Sequence, residues 1–302
     1  MTPSTQKERS LKTGPSYASG EKSAWLGIWT NLLLFAFKMV AGILGRSQAM
    51  VADAFHTASD ILTSAGVLLG FKLAKKPADE HHPFGHGRAE SIIAKLMSVL
   101  LIGVGVGVAL RSAEALASVN MDKPGNFALL AAVVSILVKE RMYRKVVKTA
   151  RDIGSSSLEA DAWHHRSDAL SSVAALIGIA GSKMGIYYLD PTAGIIVAGL
   201  IVKAGVDAFH KAYDELMDAA PSDKVKEDIV SAVTSVEGVS EVRRVMARKS
   251  GIEMFLEITI GVDGKKSVRE GHNITIKIKR AVVNSMRNVK GIIVHVEPCK
   301  DQ

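Results

Sequence analysis

The sequence predicts an α-helical membrane protein, six transmembrane helices followed by a small α+β cytoplasmic domain, and three observations carry that prediction. Apolar residues make up 48% of the 302-residue chain while aromatics make up only 5%, a balance that favours long aliphatic helices over a soluble core. Six stretches approach the length of a bilayer span. Beyond Pro221 the apolar pattern switches to short alternating and amphipathic runs.

A spanning helix needs about 20 mostly apolar residues. Candidates are Trp25–Leu44, Ala49–Ala74, Ser91–Leu110, Phe127–Val147, Leu158–Ile179 and Tyr187–Val206. The second and fifth carry ionisable residues well inside, which is costly in lipid and marks a functional position. The fourth turns basic at Lys139, so its inner end is expected to project into the cytoplasm. Asp190-Pro191 reads as the N-cap and first-turn proline of the sixth. Gly103 with Gly107, and Gly194 with Ala198, have the small-xxx-small spacing that lets helices approach closely.

Orientation follows from the Lys and Arg of the connections. One side collects Lys7 to Lys22, Lys72 to Arg88 and Lys139 to Arg151. The other holds Arg46, Arg111, Lys123 and Lys183. Both termini are therefore expected in the cytoplasm, which fits an even number of spans, in a cell inner (plasma) membrane. The first 24 residues are polar and read as a disordered cytoplasmic extension with no removable signal peptide. The expected organisation is a tail over 1–24, a transmembrane domain over 25–212 and a cytoplasmic α+β domain over 213–302. Net charge is +8, but the basic residues flank apolar runs and no aromatic-basic platform accompanies them, so nucleic acid is not an expected partner. Cys299 is the only cysteine, which excludes an intramolecular disulfide and a thiolate metal cluster.

In the tail, Ser222 is placed to cap a helix bearing Val225, Ile229, Val233 and Val236. An extended stretch runs through Val245. Ile252, Met254, Leu256, Ile258, Ile260 and Val262 then alternate as a strand ending at Asp263-Gly264. Ser267 and Glu270 form a capping-box pair before a helix with Ile274, Ile278 and Val282. Gly291–Glu297 reads as a last strand, giving the order α-β-β-α-β. This unit of about 80 residues holds a marginal core that dimer formation would support.

The chemistry lies in the impure helices. His56 with Asp60, and His164 with Asp168, are each spaced i, i+4, so each pair puts an imidazole and a carboxylate on one helical face. Two such faces make a two-nitrogen, two-oxygen cage that suits Zn²⁺. His165 is placed to orient a ligand, while Asp53 and Asp161 read as lining a solvated approach or as caps. Between the second and third helices, Asp79, His82 and His86 stand in a loop punctuated by Pro83, Gly85 and Gly87 that can fold around an ion, with His81 outside the ligand set. His295 and Glu297 share a strand face, with His272 early in the preceding helix, as a third candidate site.

Three segments together resemble the cation diffusion facilitator family: Met50-Val51-Ala52-Asp53-Ala54-Phe55-His56 through Asp60; Asp79-x-x-His82 with Phe84-Gly85-His86-Gly87-Arg88-Ala89-Glu90; and Glu159 through Asp168. The resemblance covers about Trp25 to Pro298. It implies a homodimeric antiporter that exchanges a divalent metal ion for protons across a lipid bilayer, with a ferredoxin-like cytoplasmic domain. It maps the central site onto His56, Asp60, His164 and Asp168 and the loop site onto Asp79, His82 and His86. The tail site matches in part: His272, His295 and Glu297 stand where similar proteins place ligands, but Arg243 and Thr259 replace histidines found in some members. Histidine in the second-helix pair implies zinc over cadmium, with iron(II), cobalt and manganese as alternatives.

The metal is thus expected as cargo and regulatory ion, with no cofactor. An intramembrane metallohydrolase would also need His and Asp in spanning helices, but it would require an HExxH-type motif, which the sequence lacks. A passive channel carrying a separate metal sensor is the third reading, and proton-coupled flux separates it from a transporter.

Overall fold

The computed structural model describes residues 15–74, 76–118, 123–153, 156–251, 253–286 and 289–299, with side chains described from Ile28 onward except at 67, 68, 71, 150–153, 156–161 and 164. Six long helices come first: α1 (Pro15–Leu44), α2 (Gln48–Ala74), α3 (Ala89–Ala117), α4 (Asn126–Ile153), α5 (Ser156–Lys183) and α6 (Leu189–Leu216). Each is longer than its apolar stretch. Elongating an existing helix costs little per residue, so helices continue past the apolar boundary into polar sequence. For α1 this corrects the expectation of disorder up to residue 24, because the helix begins at Pro15. Residues 1–14 lie outside the described residues.

Among the described residues, α3 and α6 are long and apolar enough to cross a bilayer by composition alone. The others carry more polar residues, several of them turned inward, among them Asn31, Lys38, Asp53, Lys139 and Asp168. Ala41, Ala49, Ala52, Ala128, Ala131, Ala132, Ala175 and Ala198 are buried, whereas Leu33, Leu110, Leu130, Leu137, Leu170 and Ile177 are exposed. Small and polar residues inside with large aliphatics outside is the arrangement of a bundle solvated by lipid, where packing rather than hydrophobic burial holds helices together.

Gly105 and Gly205 make the close approach between α3 and α6. A Cβ at Gly105 would stand 2.7 Å from Val202, and one at Gly205 would stand 2.8 Å from Ile102. Gly103 and Gly107, singled out by their spacing, face open space, so that expectation is corrected: the contact runs through the glycine between them. Gly194 does lie close, against Ser112 and Gln48.

Asp190 also departs from expectation. Its carboxylate accepts from Ser47 Oγ at 2.6 Å and from the backbone N–H of Gln48 at 2.7 Å and Ala49 at 3.5 Å. It therefore caps the start of α2, across the bundle, rather than its own helix. The first N–H groups of any helix lack partners within it, so a buried carboxylate there stabilises twice, by hydrogen bonding and by the helix dipole.

The C-terminal region forms α7 (Asp223–Thr234), β1 (Glu241–Ser250), β2 (Glu253–Asp263), α8 (Val268–Ser285) and β3 (Val289–Cys299). The sheet order is β1-β2-β3, with β1 antiparallel and β3 parallel to β2. Leu256, Ile258, Ile260 and Val262 point to one face and bury against Ile229, Val233, Ile274, Ile278 and Val282. The alternation in β2 and the helical spacing of α7 and α8 build this core. Ser267 accepts from the Glu270 N–H while Glu270 reaches back, completing the expected capping box. Ser222 stands at the N-cap of α7 without a side-chain cap bond.

Chain contacts divide the protein into two compact units. One comprises described residues up to Ala65 together with Met97–Asp207. The other comprises Gly66–Leu96 and the chain from Ala208 onward, so the loop after α2 belongs with the C-terminal domain.

Candidate metal centre

The central site forms where α2 and α5 face each other beside α4. His56, Asp60 and Asp168 each offer a ligand atom, all lying within 4.8 Å of one another. His56 Nε2 is 3.9 Å from Asp168 Oδ1, and the side chains are 12% and 4% exposed. Among the described residues, His56 Nδ1 is buried without a hydrogen-bond partner. The ring presents its other nitrogen, Nε2, to Asp168, and beside two carboxylates a cation is the ligand that fits that edge. The backbone of His164 lies one turn before Asp168 on α5; its side chain lies outside the described residues, as does that of Asp161. His165 is buried, with Nδ1 3.9 Å from Asp168 Oδ2, beyond direct hydrogen bonding.

Lys139, the first residue of the basic stretch of α4, is buried in the bundle. Its side chain is 1% exposed, and Nζ donates to Asp168 Oδ2 at 2.8 Å and to Asp60 Oδ2 at 3.3 Å. It is therefore no part of the exposed basic end of α4, which begins at Arg141. The signal was present: Ala128, Ala131, Ser135, Lys139, Met142 and Val146 recur every three or four residues and are all buried. Lys139 thus falls on the inward stripe of α4, a period that its charge disguised.

Asp53 is a second correction. It lines no solvated path and caps no helix. It is fully buried, paired with Lys38 at 2.8 Å and accepting from Ser171 Oγ at 2.7 Å and Ser172 Oγ at 2.8 Å. Lys38 also donates to Thr57 Oγ1 and Ser172 Oγ. Every strong acceptor and donor of this pair is answered inside the bundle, which is what a buried ion pair needs to be tolerable.

The loop site is assembled locally. Asp79, His82 and His86 also bring ligand atoms within 4.8 Å. Asp79 Oδ1 accepts from the backbone N–H of His81 at 3.0 Å and of His82 at 2.7 Å. The His82 N–H bond, with the His82 and His86 rings nearby, holds the Asp79 carboxyl below its ordinary value. His86 Nδ1 lies 3.2 Å from the Pro77 carbonyl, so a proton held there leaves Nε2, 3.5 Å from Asp79 Oδ2, as the ligating nitrogen. His81 contributes through its backbone. Gly85 has φ +83°, a left-handed turn that glycine adopts without strain. Phe84 packs edge-on against Phe255, the β2 residue that interrupts the apolar alternation, and Arg248 lies over both rings.

In the tail, His295 Nε2 lies 3.6 Å from Glu297 Oε1. Arg243 pairs with Glu297 and, at 2.6 Å, with Glu241. Those contacts raise the guanidinium pKa further, while the hydrogen bond from Arg243 lowers that of Glu241. His272, His295 and Glu297 are not gathered into a three-ligand group among the described residues. An arginine occupies the carboxylate that a metal would use there.

Comparison with known proteins agrees with this organisation. A family model described as the cation efflux transmembrane domain matches residues 24–217. A second, the cytoplasmic domain of cation efflux proteins, matches residues 221–299. Metal tolerance protein C1 of Arabidopsis thaliana is 34% identical over 295 residues, covering 92% of this chain and 62% of that protein. The chain therefore spans less than two thirds of that relative. Manganese efflux system protein MneP of Bacillus subtilis (strain 168) is 30% identical over 284 residues, covering 92% of this chain and 95% of that protein. A solved MamM CTD structure is 30% identical, with a TM-score of 0.25, and covers 26% of this chain and 96% of that one.

Proposed function

Because the chain belongs to the cation efflux family, the cation diffusion facilitators, we propose that it exports zinc from the cytoplasm in exchange for protons. Members of this family are transporters of divalent cations and not enzymes. One observation supports the finer reading: two carboxylates and an imidazole bring ligand atoms together inside a helical bundle, where ionisable groups are costly and commonly mark a functional position.

His56, Asp60, His164 and Asp168 are the proposed ligands of the transported ion. With two nitrogens and two oxygens the set suits zinc, which favours four mixed ligands. Binding requires neutral imidazoles and ionised carboxylates, so loading a metal expels protons, and this supports coupling to a proton gradient. Manganese is the second reading, favoured by the likeness to the manganese efflux protein MneP; iron(II), cobalt and cadmium are the remaining candidates. Asp79, His82 and His86 are the proposed loop site. His272, His295 and Glu297 stay a proposed regulatory site, weakened by the Arg243 pairing. The proposed assembly is a homodimer in the cell inner membrane, both termini cytoplasmic, with the tail over 1–24, the membrane domain over 25–212 and the cytoplasmic domain over 213–302.

Uptake into everted vesicles, measured one metal at a time under an imposed pH gradient, tests the proposal. Zinc uptake that collapses with the gradient is expected. Asp60→Ala and Asp168→Ala should abolish it while the protein still inserts. Gradient-independent flux would overturn the antiport, and near-normal flux in both variants would overturn the site.

A further inference from the structure

We propose that Lys139 is the resident counter-cation of the central site, and that an incoming divalent ion must displace its ammonium from Asp60 and Asp168. Lys139 thereby sets both the affinity and the release of the metal. This inference rests on the proposed central site and adds a residue that the ligand spacing does not name.

The geometry supports it at three points. The ammonium contacts one oxygen of each carboxylate, Asp168 Oδ2 at 2.8 Å and Asp60 Oδ2 at 3.3 Å. Those are the same two carboxylates whose atoms cluster with His56. A metal and an ammonium cannot share these oxygens at full strength, because each oxygen turned to the ammonium is withdrawn from the ion. Second, a lysine inside a bundle is expensive unless its charge is matched. Among the described residues the other fully buried lysine, Lys38, is matched by Asp53, which lies one turn away from His56 and is saturated by Ser171 and Ser172. Lys38 and Lys139 therefore have separate partners, one a structural aspartate and one the candidate ligands. Third, Lys139 reaches the site from α4, whereas His56 and Asp60 stand on α2 and Asp168 on α5. A tethered cation on a third helix neutralises facing carboxylates when no metal is bound, so the empty site can persist in a low-dielectric surrounding.

The consequence is a site built to exchange its ion rather than to hold it. Without Lys139 the carboxylates would bind a divalent cation more tightly and surrender it more slowly. A purely structural lysine predicts the opposite sign, since its loss would loosen the cage and weaken binding.

The test uses full-length protein in lipid nanodiscs and zinc alone, titrated against a zinc-sensitive dye at neutral pH. Asp60→Ala defines the class of binding that belongs to the central site. For that class, Lys139→Met should tighten the Kd by at least about tenfold and slow zinc release on chelator addition. Lys139→Arg, which keeps the charge, should stay within about threefold of wild type. Should Lys139→Met fail to insert, Lys139→Gln carries the same expectation, because a neutral amide can still donate to one carboxylate. An unchanged or weaker Kd in the neutral variant, with binding still lost in Asp60→Ala, overturns the role of Lys139 and leaves the site standing. Wild-type binding in Asp60→Ala overturns the site and this inference with it.

Discussion

Individual residues in this bundle act chiefly through charge matched at short range. Asp53 and Lys38 are both fully buried and bonded to each other at 2.8 Å. Asp53→Asn removes the countercharge and leaves an ammonium in the bundle interior, which costs about 3–5 kcal/mol. A large fall in the melting temperature of the solubilised protein is expected, and the double change Lys38→Met with Asp53→Leu should recover most of it. Equal melting of wild type and Asp53→Asn would show that the pair contributes nothing. Asp190 works by a different mechanism, through capping. Asp190→Ala leaves Ser47 Oγ and the N–H of Gln48 without their acceptor, so the start of α2 should fray. A loss of about 0.5–2 kcal/mol is expected in denaturant titration. Because α2 carries His56 and Asp60, zinc affinity should fall alongside stability.

At the scale of elements, the loop after α2 is held to the C-terminal domain by charge and aromatic contact. Asp218 pairs with Arg88 of the loop and with Arg248 of β1, the latter at 3.3 Å. Burial alone would raise its carboxyl pKa, but the Arg88 hydrogen bond and both guanidinium charges outweigh that and hold it below the ordinary 3.8. A carboxylate whose folded pKa is depressed stabilises fully above its unfolded value and loses that contribution as pH falls through the folded one. The clamp should therefore be intact at neutral pH and open only below about pH 4. Limited proteolysis within residues 76–88 should accelerate in that acid range, and Asp218→Asn should reproduce the acceleration at neutral pH. Since Asp218 is about two-fifths exposed, global stability should change little. On the sheet, Arg243 pairs in the same way with the Glu297 carboxylate.

For the whole molecule, the decisive quantity is competition between protons and metal. If the proposed imidazole and carboxylate ligands hold the ion, protons compete with it for them, so acidifying the binding side should raise the apparent Kd. Calorimetry in buffers of different protonation enthalpy should register proton release on zinc binding; none across the neutral range would defeat the exchange mechanism. Removing the chain after Pro221 deletes the α7-to-β3 domain, whose small core stands to gain from a second copy. Weaker dimers and reduced flux, with central-site binding retained, are expected by analytical ultracentrifugation and vesicle uptake.

The sequence by itself determined much of this protein. Six long helices, the alternating strand β2 with its Leu256-to-Val262 face, the Ser267–Glu270 capping box, the His56–Asp60 pair and the Asp79–His82–His86 loop all depend on local period and spacing, which a chain declares without folding. What only the tertiary structure decided were contacts between positions distant in sequence. Asp190 looked like the cap of its own helix and caps α2 instead. Asp53 looked solvated and is sealed by Lys38. Lys139 looked like a flanking basic residue and sits between the two candidate metal carboxylates. In each case a charged side chain was read from its immediate neighbours in sequence, as a cap, a solvated group or a flanking charge. That reading fails when a partner some 15 to 142 residues away supplies the opposite charge or the missing hydrogen bond.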